Sequence, residues 1–374
     1  MRRNANRLQM DQMQQKLAAM DRPLIRYLRI LILDVRASGA IATALLALVM
    51  LSNSAHLPDQ IAPSKIVRGM PGVQIWSFAL SPSGKQIATT NSAGRVTLRA
   101  QNAEWQTERL LAFPGFAWAV AFSPDGRSVA AVGDGPGVRL WNLASSRREP
   151  DMLINVPIHR PKLLKFSPNG RFLAVTTTPH GTILVWDLKA RQEHMLLHHS
   201  SLVDSIAFSP DGQWLATAAT NDASIAFCDL QTGARQILLG AGPGPETVLT
   251  FSPDGAFLAT ANQGDHQVRL WDLKTRRACR VFIGHTRPVK SIAFSPDGSL
   301  LATASDDGTV ALWNVTTGQR QASLDCGATC LVAITFSPDG RTLVVATGDD
   351  DDVRSWDLAE LLASSGARRQ EEEN

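Results

Sequence analysis

From residue 64 onward, apolar positions come in short runs of about six residues, rich in Val, Ile, Ala, Leu and Phe. Clusters of Ser, Pro, Asp and Gly separate them. Runs of that length and composition, bounded by turn residues, predict β-strands. The boundary repeated most often is Phe-Ser-Pro-Asp-Gly. In Ser295-Pro296-Asp297-Gly298 the Ser suits the first position of a type I turn, Pro presets φ at the second, and Gly suits the fourth. The run "VKSIAF" leads into this turn and "LLATAS" leaves it, so the unit predicts a hairpin.

The same turn is written seven times. The residue before each Ser-Pro is Leu80, Phe122, Phe166, Phe208, Phe251, Phe294 or Phe336, at steps of 42, 44, 42, 43, 43 and 42 residues. So even a period marks a repeat architecture, and a stretch repeated at even intervals belongs to scaffold rather than to a catalytic loop. A second signature follows each turn: "VRLWNL" at Val138, "ILVWDL" at Ile183, "IAFCDL" at Ile225, "VRLWDL" at Val268, "VALWNV" at Val310 and "VRSWDL" at Val353. Trp141, Trp186, Trp271, Trp313 and Trp356 occupy one slot of it, while the first copy reads "VTLRAQ".

With Gly284-His285 added, the pattern closely resembles the WD-repeat family of β-propellers over residues 64–358. The resemblance implies an all-β fold, a ring of seven four-stranded antiparallel blades around a central channel. It also places His285, Ser305, Asp307 and Trp313 in the family's hydrogen-bonded tetrad, where Ser accepts from the buried indole N–H and His and Asp back it. A Ser, a His and an Asp together also invite a nucleophile reading. The other copies argue for bracing, because they keep only parts of the set. Asp222, Asp265 and Asp350 recur six residues before the Trp slot, the fourth copy has His199 but Cys228 in the slot, and the third has His180 where Asp is expected.

The resemblance further implies that the seventh blade needs a strand from elsewhere, since an open ring exposes strand edges. "SKIVRG" at Ser64–Gly69 is a β-type run, so Lys65 to Arg68 is expected to pair into that blade. The tail 359–374 reads as helical, then charged and disordered.

Residues 1–36 form a basic, partly helical segment, and "LIRYLRILILDV" within it is amphipathic enough to lie along a membrane surface. Ala37 to Ala55 carries no charge and approaches the about 20 apolar residues that a bilayer core asks for. With eight Lys or Arg upstream, the expected placement is a single-pass anchor, N-terminus in the cytoplasm and propeller outside, with residues 56–63 as linker. A cleaved secretory signal fits the same features, with Ser52, Ser54 and Ala55 near a cut, as does a helix packed on the propeller or on a partner. Those alternatives would make the protein secreted or cytoplasmic.

The formal net charge of +3 resides in the head: residues 1–36 balance to +5, so everything after sums to −2. A nucleic-acid binder should carry its positive charge on the folded surface, so no nucleic-acid partner is expected. Four cysteines are too few for a disulfide framework. Cys326 and Cys330 in "CGATC" could bridge in an oxidising compartment, or stand as two small buried thiols.

The chain carries no phosphate loop, nucleophile elbow or H-E-x-x-H motif. His194 and His198 fall on a predicted strand, where residues four apart lie more than about 12 Å apart, so no metal is assigned there. No cofactor, catalytic residue or metal ligand is expected. Partners in the resembled family dock on the face formed by the loops entering each repeat. On that face lie Trp76, Phe116, Trp118, Arg160, Lys162, Asp204, Arg287 and Lys290. Asp349, Asp351 and Asp352 form an acidic turn that could take a basic partner or a cation, or simply be solvated. Trp and Arg dominate binding hot spots. The expected function is therefore a non-catalytic scaffold that docks proteins or peptides, and a Trp packing at the channel mouth for stability alone is the plainer account of those positions. The alternative is a propeller enzyme, hydrolase or oxidoreductase, with its site in the channel.

Overall fold

The computed structural model describes residues 63–67, 74–100, 107–135, 137–145, 147–155, 161–177, 181–219, 222–239, 246–326, 331–348 and 352–364. Met1–Leu57 separates from Pro58–Asn374 as its own unit. The expected anchor, Arg160, Cys330, Asp349, Asp351 and residues 365–374 of the tail lie outside the described residues. Among the described residues, no helix is long and apolar enough to cross a membrane.

Within Pro58–Asn374 the described residues form 28 strands in seven antiparallel sheets of four. We number the blades by repeat and letter their strands a to d outward. Strand a of blades 1 to 7 is Ile75–Leu80, Ala117–Phe122, Pro161–Phe166, Val203–Phe208, Glu246–Phe251, Val289–Phe294 and Leu331–Phe336. Each a strand touches those of the blades before and after it, and blade 7 touches blade 1. The a strands therefore surround the axis of a closed seven-bladed ring.

The cores lie between blades, not within them. Strand b of blades 3 and 6, Phe172–Thr177 and Leu300–Ser305, is buried along its whole length. Covered on both faces, such strands read as continuous apolar runs rather than alternating ones. Seven clusters of buried apolar side chains each bridge two neighbouring blades. The last joins Ile75 and Ile87 of blade 1 to Val344, Ala346 and Val353 of blade 7. A fully buried Val or Leu contributes about 1.5–3 kcal/mol, so each blade depends on both neighbours.

The ring closes where the sequence expects it. Lys65–Val67 pairs antiparallel with Val353–Asp357, in the register Lys65↔Ser355, Ile66↔Arg354 and Val67↔Val353. The Asp357 N–H also donates to Ser64 Oγ at 3.0 Å. Asp357 then caps the helical segment 358–364, accepting from the Ala359 and Glu360 N–H groups. Leu361 of that segment is fully buried against blades 6 and 7.

The repeated turn does mechanical work through its serine. Ser295 Oγ accepts the Leu300 N–H at 2.9 Å and donates to Asp297 at 2.5 Å, while Asp297 accepts the Ser299 N–H. Gly298 takes φ +71°, which a Cβ disfavours, and a Cβ there would meet Pro253 of the preceding turn at 3.6 Å. A Cβ at Gly84 would meet Pro338 at 3.1 Å, so the same succession of turns carries across the closing seam.

Candidate functional site: the channel mouth

Every a strand carries a bulge just inside its first residue. The register shifts between Ile75 and Ser77, Ala117 and Ala119, Val203 and Ser205, Val289 and Ser291, and Leu331 and Ala333. Blades 3 and 5 shift at Pro161/Leu164 and Glu246/Val248. A bulge leaves a residue out of the ladder and re-aims its side chain. The residues so released include Trp76, Trp118, Lys162, Asp204, Lys290 and Val332, the positions the repeat pattern picks out.

Blades 1 to 3 bring four of the predicted residues together. Trp76 and Trp118 stack with ring centroids 4.4 Å apart and planes 8° from parallel. Phe116 tilts against them at 5.3 and 6.3 Å. The Trp118 indole N–H donates to Asp134 Oδ1 at 2.9 Å, which fixes the ring without burying it. Phe116 stays 43% and Trp118 38% exposed, so the cluster offers an aromatic surface to solvent. Beside it lies a recess of about 440 Å³, lined by Ile75, Trp76, Trp118, Leu163, Val332 and Lys162.

The remaining predicted residues disperse. Asp204 adjoins the recess through Lys162, whose ammonium it meets at 3.1 Å. Lys290 pairs with Asp306 at 3.3 Å, and Arg287 donates to the Asp306 carbonyl, a second group on blade 6. Asp352 faces Arg354 at 3.7 Å. A second recess of about 350 Å³, among Trp214, Phe227, Ile237, Phe251 and Arg276 of blades 4 and 5, is one the repeat pattern does not single out. Among the described residues no three His, Cys, Asp or Glu gather to hold a metal ion.

Comparison with known proteins bears on what this ring is. A family model described as "WD domain, G-beta repeat" matches residues 108–142, 190–229, 245–272, 276–314 and 318–357. Those five segments fall on blades 2, 4, 5, 6 and 7 of a ring whose seven blades the structure displays. The chain belongs to the WD-repeat propellers. Over 112 residues, 29% of its length and 36% of the relative's, this WD-repeat chain is 31% identical to "Protein LST8 homolog" of Drosophila melanogaster. It is 39% identical over 77 residues, 21% of its length and 22% of the relative's, to "Small ribosomal subunit protein RACK1z" of Arabidopsis thaliana. "Target of rapamycin complex subunit wat1" of Schizosaccharomyces pombe is 30% identical over 106 residues, 28% of the chain and 30% of that protein. The chain thus spans between about a fifth and just over a third of the length of the curated relatives it matches.

The WD-repeat brace of blade 6 is present with one member corrected. Trp313 donates to Thr303 Oγ1 at 3.0 Å, not to Ser305. His285 Nε2 meets the same hydroxyl at 2.7 Å, and His285 Nδ1 meets Asp307 at 2.9 Å. Ser305 instead donates to the Arg287 carbonyl at 2.9 Å. The reason is the length of the indole: Trp313 lies opposite Leu301, and its N–H reaches diagonally to Thr303, two residues along the same face. Trp271 reaches Thr260 in the same way at 2.9 Å. Burial pushes the Asp307 carboxyl up, yet hydrogen bonds from His285 and Thr309 outweigh it and hold the carboxyl well below the usual range.

Other WD repeats substitute different partners. Asp265 of blade 5 is held by Arg269 of the same blade. In blade 4 His199 meets Thr217 at 2.9 Å, while Cys228 fills the Trp slot and contacts the Met195 sulfur. Cys326 is a free, buried thiol that burial pushes up to about 12.

Proposed function

We propose that this WD-repeat propeller is a non-catalytic interaction platform that docks partner proteins or peptides at the channel mouth, on Trp76, Phe116, Trp118 and Lys162. The exposed aromatic cluster beside the recess carries the reading. Exposed Trp beside a concave apolar floor is the composition of a binding hot spot, and residues fixed on strand bulges lose little freedom when a partner arrives. Two of the relatives are named as a ribosomal subunit protein and a complex subunit, components of larger assemblies. Affinity capture with the full chain and with a Trp76→Glu/Trp118→Glu variant tests it. The variant should lose partners that the unaltered protein retains while keeping its circular dichroism. Equal capture by the two proteins, or turnover of a small molecule by the purified ring, overturns the reading.

The same proposal tethers the propeller to a membrane through residues 37–55, with the basic segment before them in the cytoplasm. Nineteen uncharged residues after eight cationic ones support this. Alkaline carbonate treatment of isolated membranes should leave the protein in the pellet, and release into the supernatant sinks the tether.

A further inference from the structure

Strand a of blade 3 carries a second lysine. Lys165 lies three residues beyond Lys162, roughly 10 Å further along the strand, opposite Ala174. Its side chain is exposed, although the strand is innermost and the adjacent Leu164 and Phe166 are buried and half-buried. Neighbouring a strands flank it on both sides, so the space that exposes it is the channel. The matching residues of the other blades are Ala79, Ala121, Ala207, Thr250, Ala293 and Thr335. All are small, which leaves room at this level around one positive charge.

Among the described residues Lys165 has neither a carboxylate partner nor a hydrogen bond. The crowding of the channel walls around it lowers its pKa through desolvation. An ammonium that faces the channel without a counter-charge attracts one, and an arriving anion meets less competition from water there than it would on the outer surface.

We propose that the central channel binds a carboxylate at Lys165, supplied by the acidic side chain of a peptide whose apolar side chain rests on Trp76 and Trp118. The inference rests on the channel-mouth reading above and adds the partner's chemistry. The roughly 10 Å between the two levels corresponds to three extended residues, so the apolar anchor and the acid stand three positions apart.

The peptide acetyl-Gly-Leu-Gly-Gly-Glu-amide and its Gln twin, titrated by NMR into the full chain and into variants, provide the test. The Glu peptide should bind the unaltered protein about ten-fold tighter than the Gln peptide. Lys165→Met should bring the Glu peptide down to the Gln value and leave the Gln peptide unchanged, while Lys165→Arg keeps the preference. Trp118→Ala should weaken both peptides equally. Equal affinities on the unaltered protein, no binding of the Glu peptide, or a preference that survives Lys165→Met overturns the channel site. If Trp118→Ala weakens both peptides and Lys165→Met changes neither, the channel site falls and the mouth stands. If Lys165→Met removes the preference and Trp118→Ala changes nothing, the anchor at the mouth falls instead. Should the Met variant fail to fold, the Glu/Gln comparison on the unaltered chain still decides.

Discussion

Thr303 joins Trp313 and His285 through one hydroxyl, and the brace of blade 6 turns on it. A hydroxyl offers one donor and two acceptor sites, so it can take the Trp313 N–H and still engage His285. Thr303→Val keeps the shape and removes the hydroxyl, stranding a buried indole N–H. The expected loss is about 1–3 kcal/mol, read from urea unfolding, and Ser305→Ala should lose less. Equal losses would restore Ser305 to the brace. The turn aspartates make a second residue-scale prediction. Hydrogen bonds from Ser123, Ser252, Ser295 and Ser337, then from the N–H after each turn Gly, hold Asp125, Asp254, Asp297 and Asp339 below their ordinary value of 3.8. A carboxylate with a lower pKa folded than unfolded stabilises the fold above the unfolded value, and that contribution fades as pH falls through the folded one. Unfolding free energy should hold above about pH 4 and decline below it, and Ser295→Ala should lessen the decline. Cys326 gives a third. With its thiol raised to about 12, it should stay unmodified by a thiol reagent at pH 8 in the native protein and label after denaturation, as peptide mapping would show.

At the scale of elements, the turn and the Trp slot were legible because their chemistry is local: Ser, Pro, Asp and Gly each fix a neighbouring bond or dihedral. The closing strip was legible because seven copies leave one strand wanting and "SKIVRG" is a β-type run ahead of them. The bulges were not, since an extra residue in an a strand leaves no compositional mark; only the ladder shows Trp76 and Trp118 released from it. Nor could spacing distinguish Thr303 from Ser305, which share a strand face, or foresee that Arg269 would hold Asp265. Deleting residues 63–67 uncovers the edge of Val353–Asp357 and should lower the melting temperature of the entire ring. An unchanged melt would show the strip to be decoration.

At the scale of the whole molecule, seven cores shared between neighbours mean that no blade stands alone. Calorimetry of the folded ring should accordingly show one transition, and two separated ones would mean that some blades hold together without the rest. The strip that seals the ring has a consequence in time. Lys65 leaves the ribosome long before Ser355, its partner, so the last seam cannot form until the seventh blade has been made. For that interval Lys65–Val67 has no strand to pair with, and the nascent protein has reason to need a chaperone that shields β-strands until the seventh blade emerges.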